Sequence, residues 1–254
     1  MKSSKIRNWL LLLLSVILLF VAVQYITLSV LSVRKVFIAA STNKNTDQTD
    51  LNTKDSTWLE LYRQKNWLES RLKMSQSDSI YLSINLRDSA LQLELKGVVL
   101  KSSPIVQIKY DRFFDALPAS AYHHYFGQET VGNQSLATID KIPLTIKQAP
   151  RDSAEFAAQN TITDTIKNEE INWMLTLDNG ILLKIKGIDD DDQKLPSSSF
   201  WRQQKLKQIV RDLSNTILFK LPNYQPSIEL LVGEEDAKAI YRAIPVQPMV
   251  CIRL

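Results

Sequence analysis

Residues 78–99 read DSIYLSINLRDSALQLELKGVV, and their spacing decides the fold class. Ile80, Leu82, Ile84 and Leu86 recur at every second position, which places them on one face of an extended chain. Arg87, Asp88, Ser89 and Ala90 turn the chain, and Leu91, Leu93 and Leu95 repeat the period on the way back. The residues between them are largely polar, which predicts a half-buried hairpin.

The pattern continues downstream. SPIVQIKY (103–110) reads as a third strand, and IPLTIKQAP (142–150) as a short one bounded by prolines. WMLTLDNGILLKIKG (173–187) is the cleanest local signal. Asp178, Asn179 and Gly180 are tight-turn residues between the alternating sets Trp173, Leu175, Leu177 and Ile181, Leu183, Ile185. A helix is predicted from Phe200 to Phe219, with Trp201, Leu206, Ile209, Val210, Leu213 and Ile217 as its apolar stripe. A β-α-β tail follows: IELLV (228–232), EEDAKAIYRAI (234–244) and MVCIRL (249–254). Residues 111–140 have no readable period, and 151–170 are polar and weakly patterned, a loop or insertion.

Upstream, Trp9 to Val33 carry no charge. About 25 helical residues at roughly 1.5 Å each span about 37 Å, enough to cross a bilayer with some tilt. A cleaved signal is the competing reading. Its apolar region is shorter, and here Arg34 and Lys35 precede the one small-residue site, Ala39-Ala40, so a retained anchor is favoured. Lys2, Lys5 and Arg7 on one side nearly balance Arg34, Lys35 and Lys44 on the other. The short tail and the lack of a second apolar run favour the N-terminus inside. Gln24, Tyr25, Thr27 and Ser29 read as lipid-tolerated or interfacial polarity more readily than as helix-pairing residues. After a polar stretch, Thr57 to Met74 form a helix with Trp58, Leu61, Leu68 and Leu72 at helical spacing, interrupted by Lys65. It reads as a short coiled coil or a packed helix, and its length favours packing.

The expected organisation is a cytoplasmic tail over 1–7, a membrane anchor over 8–33, a polar linker over 34–56, a helix over 57–75 and an extracytoplasmic domain over 76–254. The fold class is α+β: an N-terminal transmembrane helix, then a mainly antiparallel sheet with a long helix and the C-terminal β-α-β segment.

Composition narrows the chemistry. The chain has 254 residues, 44% hydrophobic and 23% charged, which is globular. Its net charge is +4, but removing Lys2, Lys5 and Arg7 leaves 28 basic against 27 acidic residues, interleaved as in KLKQIVRDL. Nucleic-acid binding is not expected. Six glycines and one cysteine leave no material for a glycine-rich phosphate loop, a disulfide scaffold or a cysteine-based zinc module.

No catalytic, metal or cofactor residues are assigned. His123 and His124 are adjacent, which on a strand would point them to opposite faces, and they read as an exposed pair. With Tyr122 and Tyr125 they offer the one plausible general base, without a partner in sequence. The run Asp189–Asp192 lacks the alternation and glycine of a calcium loop. Cys251 sits in an apolar strand, where cysteine behaves as a small hydrophobe. Ser70 and Lys73 form an S-x-x-K whose companion motifs are missing.

Two segments resemble the L,D-transpeptidase catalytic domain. The 78–99 hairpin is similar to its opening strands. EEDAKAIYRAIPVQPMVCIRL (234–254) is similar to its closing helix and strand, through Asp236, Ala237, Tyr241, Pro245 and Val250. The resemblance covers about a sixth of the chain. That family's cysteine stands in a Ser-x-Gly-Cys-x-Arg stretch before the closing helix. Here the position falls at or next to Glu229, with Ile228 in place of glycine and Leu231 in place of arginine, and no histidine follows position 124. The resemblance therefore implies a non-catalytic relative. The expectation is a single-pass protein of the bacterial inner membrane, held in the bilayer through residues 8–33, whose domain outside the cytoplasm binds peptidoglycan or envelope proteins. A bitopic assembly component of a secretion or pilus-type complex is the alternative.

Overall fold

The computed structural model describes residues 2–42, 56–141, 170–188 and 199–254. The protein is α+β with an apolar N-terminal helix, α1 (Lys2–Thr42). Next come α2 (Ser56–Met74), β1 (Tyr81–Asn85), β2 (Ala90–Leu95), β3 (Val98–Tyr110), α3 (Ala119–Phe126) and β4 (Thr130–Ala137). After these come β5 (Asn172–Leu177), β6 (Leu182–Ile188), α4 (Ser199–Ile217), β7 (Ser227–Gly233), α5 (Glu234–Ala243) and β8 (Met249–Arg253). The expected strand at 142–150, the loop from Arg151 to Glu169 and the run Asp189–Asp192 lie outside the described residues.

The strands close into a mixed barrel in the order β1-β2-β3-β7-β6-β5-β4-β8, where a mainly antiparallel sheet was expected. Six ladders are antiparallel, and two, β1 with β8 and β6 with β7, are parallel. Closure depends on two strands that change partners. β3 pairs with β2 through its first half and with β7 through its second, and Pro104, which has no N–H to give, stands at the handover. β4 pairs with β8 at Thr130 and Val131 and then with β5. Register shifts at Leu93/Glu94, Ile105/Gln107 and Gly132/Gln134 bend these corners.

The alternating apolar sets line the interior: Leu82, Ile84, Leu91, Trp173, Leu175, Leu183, Ile185, Ile228 and Leu230 are all fully buried. The predicted turn forms, with Gly180 at φ +86° and its N–H on the Leu177 carbonyl. α5 inserts its apolar face into the same core. Ala237 and Ile240 have no exposed surface, and the Tyr241 ring meets Trp173 at 5.6 Å.

β1 departs from the half-buried expectation. Tyr81, Ser83 and Asn85 on its other face are also buried, because α2 covers β8 and β1. α2 docks with Tyr62, Asn66, Trp67, Ser70 and Met74; of the expected apolar stripe Trp58 packs on the core, whereas Leu61, Leu68 and Leu72 face outward. Ionic contacts hold it. Glu94, with no exposed side chain, pairs with Arg71 (Nη2 to Oε1 2.9 Å; Nε to Oε2 3.2 Å) and accepts from the Tyr81 hydroxyl at 2.8 Å. Burial first, then the Glu94 carboxylate, raises the Tyr81 hydroxyl well above the ordinary phenol range. At the other end Glu60 pairs with Arg253 at 3.1 Å and with Arg87.

α1 runs on as helix to Thr42, past residue 34 where the polar linker was expected to begin. Val36, Phe37 and Ala40 pack on the domain, with Phe37 edge-on to Phe113 at 6.3 Å.

Candidate functional site

The residues that sequence reading singled out do not come together. Cys251 lies on β8, 2% exposed, and burial pushes its thiol up to about 12, far from a thiolate at neutral pH. Ser70 is buried with its hydroxyl donating to the Gln128 carbonyl at 3.0 Å, whereas Lys73 is exposed. His123 and His124 sit on a helix, α3, so the strand argument against them does not apply. His123 Nδ1 meets Asn66 Oδ1 at 2.5 Å, and Asn66 Nδ2 donates to the Tyr62 carbonyl, so Nδ1 carries the proton. A Cβ on Gly127 would lie 2.3 Å from that nitrogen, which is why glycine follows α3. Burial lowers the His123 pKa. His124 packs edge-on to Tyr125 at 5.2 Å. Tyr122 and Tyr125 are 2% and 5% exposed within an aromatic cluster with Phe113, Phe114 and Phe126. Among the described residues no three His, Cys, Asp or Glu gather as a metal site.

A groove of about 330 Å³ lies elsewhere, between α4 and the outer face of β5, β6 and β7. Alternation builds its floor. As Leu183 and Ile185 turn inward, Leu182 and Lys184 turn outward into it, joined by Met174 and Ser227. Its roof is the polar face of α4, with Gln204, Lys205, Gln208, Arg211 and Asp212. Asp111 fixes one wall by accepting from the Ser227 N–H at 2.7 Å. Tyr224 stands beside it, its hydroxyl pushed up to about 12 by burial and then by the Asp111 charge. Partial burial also raises the Asp212 carboxyl. Trp201 ties α4 to the barrel, donating from Nε1 to Asn172 Oδ1 at 2.9 Å and covering Lys186 at 5.1 Å.

Glu229 stands next to the groove's Lys184 across the β6–β7 ladder. Its Oε1 meets Lys186 Nζ at 2.5 Å, and Lys184 is its register partner on β6. Lys184, Lys205 and Arg211 make no ion pair among the described residues. The lining thus offers cations, two carboxylates and several amides to a polar ligand that bears charge of its own. Sequence reading missed the groove because Asp111, Lys184, Gln204 and Tyr224 are spread over more than a hundred residues. The one readable trace is the lysine pair alternating with Leu183 and Ile185.

No family model matches the chain, and neither a search of curated proteins nor one of solved structures finds a similar one.

Proposed function

We propose that this is a membrane-anchored, non-catalytic cell-envelope protein whose barrel is related to the L,D-transpeptidase domain and binds the peptide portion of peptidoglycan. One juxtaposition carries the reading. Glu229, at or next to the position where that family's cysteine would stand, is ion-paired, and its register partner Lys184 lines a polar groove whose Lys184, Lys205 and Arg211 make no ion pair among the described residues. Wall peptides present carboxylates and amines, for which Lys184, Arg211 and Asp111 are suitable partners. α1, charge-free from Trp9 to Val33 and long enough to span, supplies the anchor. In this reading the N-terminus lies in the cytoplasm and the barrel outside the inner membrane. In the test, detergent-solubilised full-length chain is spun with purified sacculi. Salt-resistant co-sedimentation that Lys184→Glu with Arg211→Glu abolishes is expected; chain that stays in the supernatant overturns the reading.

One observation favours a second reading, a bitopic assembly component. Leu61, Leu68 and Leu72, at 60%, 47% and 65% exposure, form a seam on α2 at coiled-coil spacing. Cross-linking of the chain to a membrane neighbour, lost in Leu68→Asp, would support it over wall binding.

A further inference from the structure

α4 is oriented inside out for a helix in water. Its half-buried side is Trp201, Gln204, Asp212, Asn215 and Thr216, whereas Leu206, Ile209, Val210, Leu213 and Ile217 are 44–66% exposed along the opposite face. Beyond the helix end Leu218, Phe219 and Leu221 are exposed as well, at 59%, 72% and 40%. So contiguous an apolar surface marks a contact site.

Three observations identify what covers it. The first is continuity with the anchor. Gln24 of α1, expected to be lipid-tolerated polarity, donates from Nε2 to the Thr216 carbonyl at 2.8 Å and so joins the end of α4 to the apolar run. Trp9 to Gln24 is a rise of roughly 22 Å, so in a hydrocarbon core of roughly 30 Å that starts at Trp9, Thr216 lies about 8 Å below the far surface. Interfacial helices sit at depths of about 5–10 Å.

The second is charge. Outside the groove lining, the charged residues between 199 and 221 are Arg202, Lys207 and Lys220, all basic, the balance of a helix on an anionic surface.

The third is the tip. Phe219 has φ +54°, the left-handed position that closes a helix and usually belongs to glycine, with Lys220 N–H on the Asn215 carbonyl at 2.8 Å. A strained phenylalanine that points into water has no purpose in a soluble domain. The exposed Leu218, Phe219 and Leu221, with Lys220 among them to meet the headgroups, suit insertion better than the narrow seam of helix pairing.

We infer that α4 lies in the bilayer interface on the barrel's side. Its apolar face meets the acyl chains, its basic flank meets anionic headgroups, and Leu218, Phe219 and Leu221 form an inserted wedge. The inference rests on α1 spanning the membrane. It makes the groove a crevice between barrel and membrane surface, with α4 as its lipid-supported wall.

The test uses full-length chain in vesicles of phosphatidylethanolamine and phosphatidylglycerol. Single cysteines at Leu213, Phe219, Ile17 and Gln76 carry an environment-sensitive fluorophore, and wild type, with Cys251 2% exposed, is the unlabelled blank. The inference expects Leu213→Cys and Phe219→Cys probes to be blue-shifted, to lose most emission to brominated lipid and to resist iodide. Exposed Gln76→Cys, just past α2, should behave oppositely. Iodide access at Phe219 with lipid quenching at Ile17 overturns the interfacial helix and leaves the span intact. Loss of lipid quenching at Ile17 overturns the span itself. Probes on α4 shielded from both quenchers mean that protein covers the face, which also overturns the lipid assignment.

Discussion

Helices α4 and α5 are both amphipathic, and they present opposite faces to the same barrel. α5 turns Ala237, Ile240 and Tyr241 inward and seals the core. α4 turns glutamines and an aspartate inward across a polar groove and leaves its leucines outside. α2 is intermediate: it docks with aromatic and ionic side chains and exposes a leucine seam. The hydrophobic stripe of a helix says that something apolar will cover it; it does not say whether that is the protein's own core, a partner or a lipid. The two helices continuous with or bonded to the N-terminal half of the chain are those that keep apolar surface free.

The largest expected effect tests whether α2 is held by charge rather than by apolar burial. Glu94→Ala leaves the fully buried Tyr81 hydroxyl without its acceptor and the partly exposed Arg71 without its partner, which should cost about 3 to 4 kcal/mol in denaturant unfolding. Loss below about 1 kcal/mol would mean that water reaches the pair and that α2 is held by Trp67 and Met74. For α5 the corresponding change is Ile240→Ala. At zero exposure it should cost about 3 kcal/mol, mainly from the cavity left in the barrel.

How much of this was legible follows from the same contrast. Strand alternation identified inward residues of β1, β2, β5 and β6, because a period of two reports the buried face directly. The outer face of β1 was misjudged because Ser83 and Asn85 are polar, yet both are buried, Asn85 with Asp88 of the following turn as its partner. Barrel closure was not readable either, since it depends on β3 and β4 changing partners at bulges, and a strand pattern carries no record of its neighbours. The stripe on α4 was found residue by residue, but its direction was not, because that is settled by what lies on each side. The groove shared this limit.

A smaller effect separates α2 from α5 by pH. The α2 dock includes the Asn66–His123 bond, and burial lowers the His123 pKa below its ordinary 6.5. The unfolded chain then takes up the proton first on acidification. The contribution is fully present above about pH 6.5 and is lost as pH falls through that value towards the folded pKa. Stability of wild type minus that of His123→Gln should therefore fall between about pH 7.5 and 5.5. A flat difference would show the imidazole equally free to protonate in both states.

The smallest expected effect is the most discriminating. Leu213→Ala on α4 removes a side chain of the size lost at Ile240, from a helix of the same amphipathic kind. Leu213 is 44% exposed and faces away from the groove, so no protein cavity forms. In full-length chain held in detergent, where micelle covers that face in both folded and unfolded states, unfolding should shift by no more than about 0.5 kcal/mol. A cost near that of Ile240→Ala would place Leu213 against protein, either another part of the chain or a second copy. The contrast between the two helices would then be one of partner rather than of solvent. A near-zero cost, beside a core residue worth about 3 kcal/mol, fixes the distinction: α5 spends its apolar face on folding, and α4 keeps its own for the surface on which the domain rests.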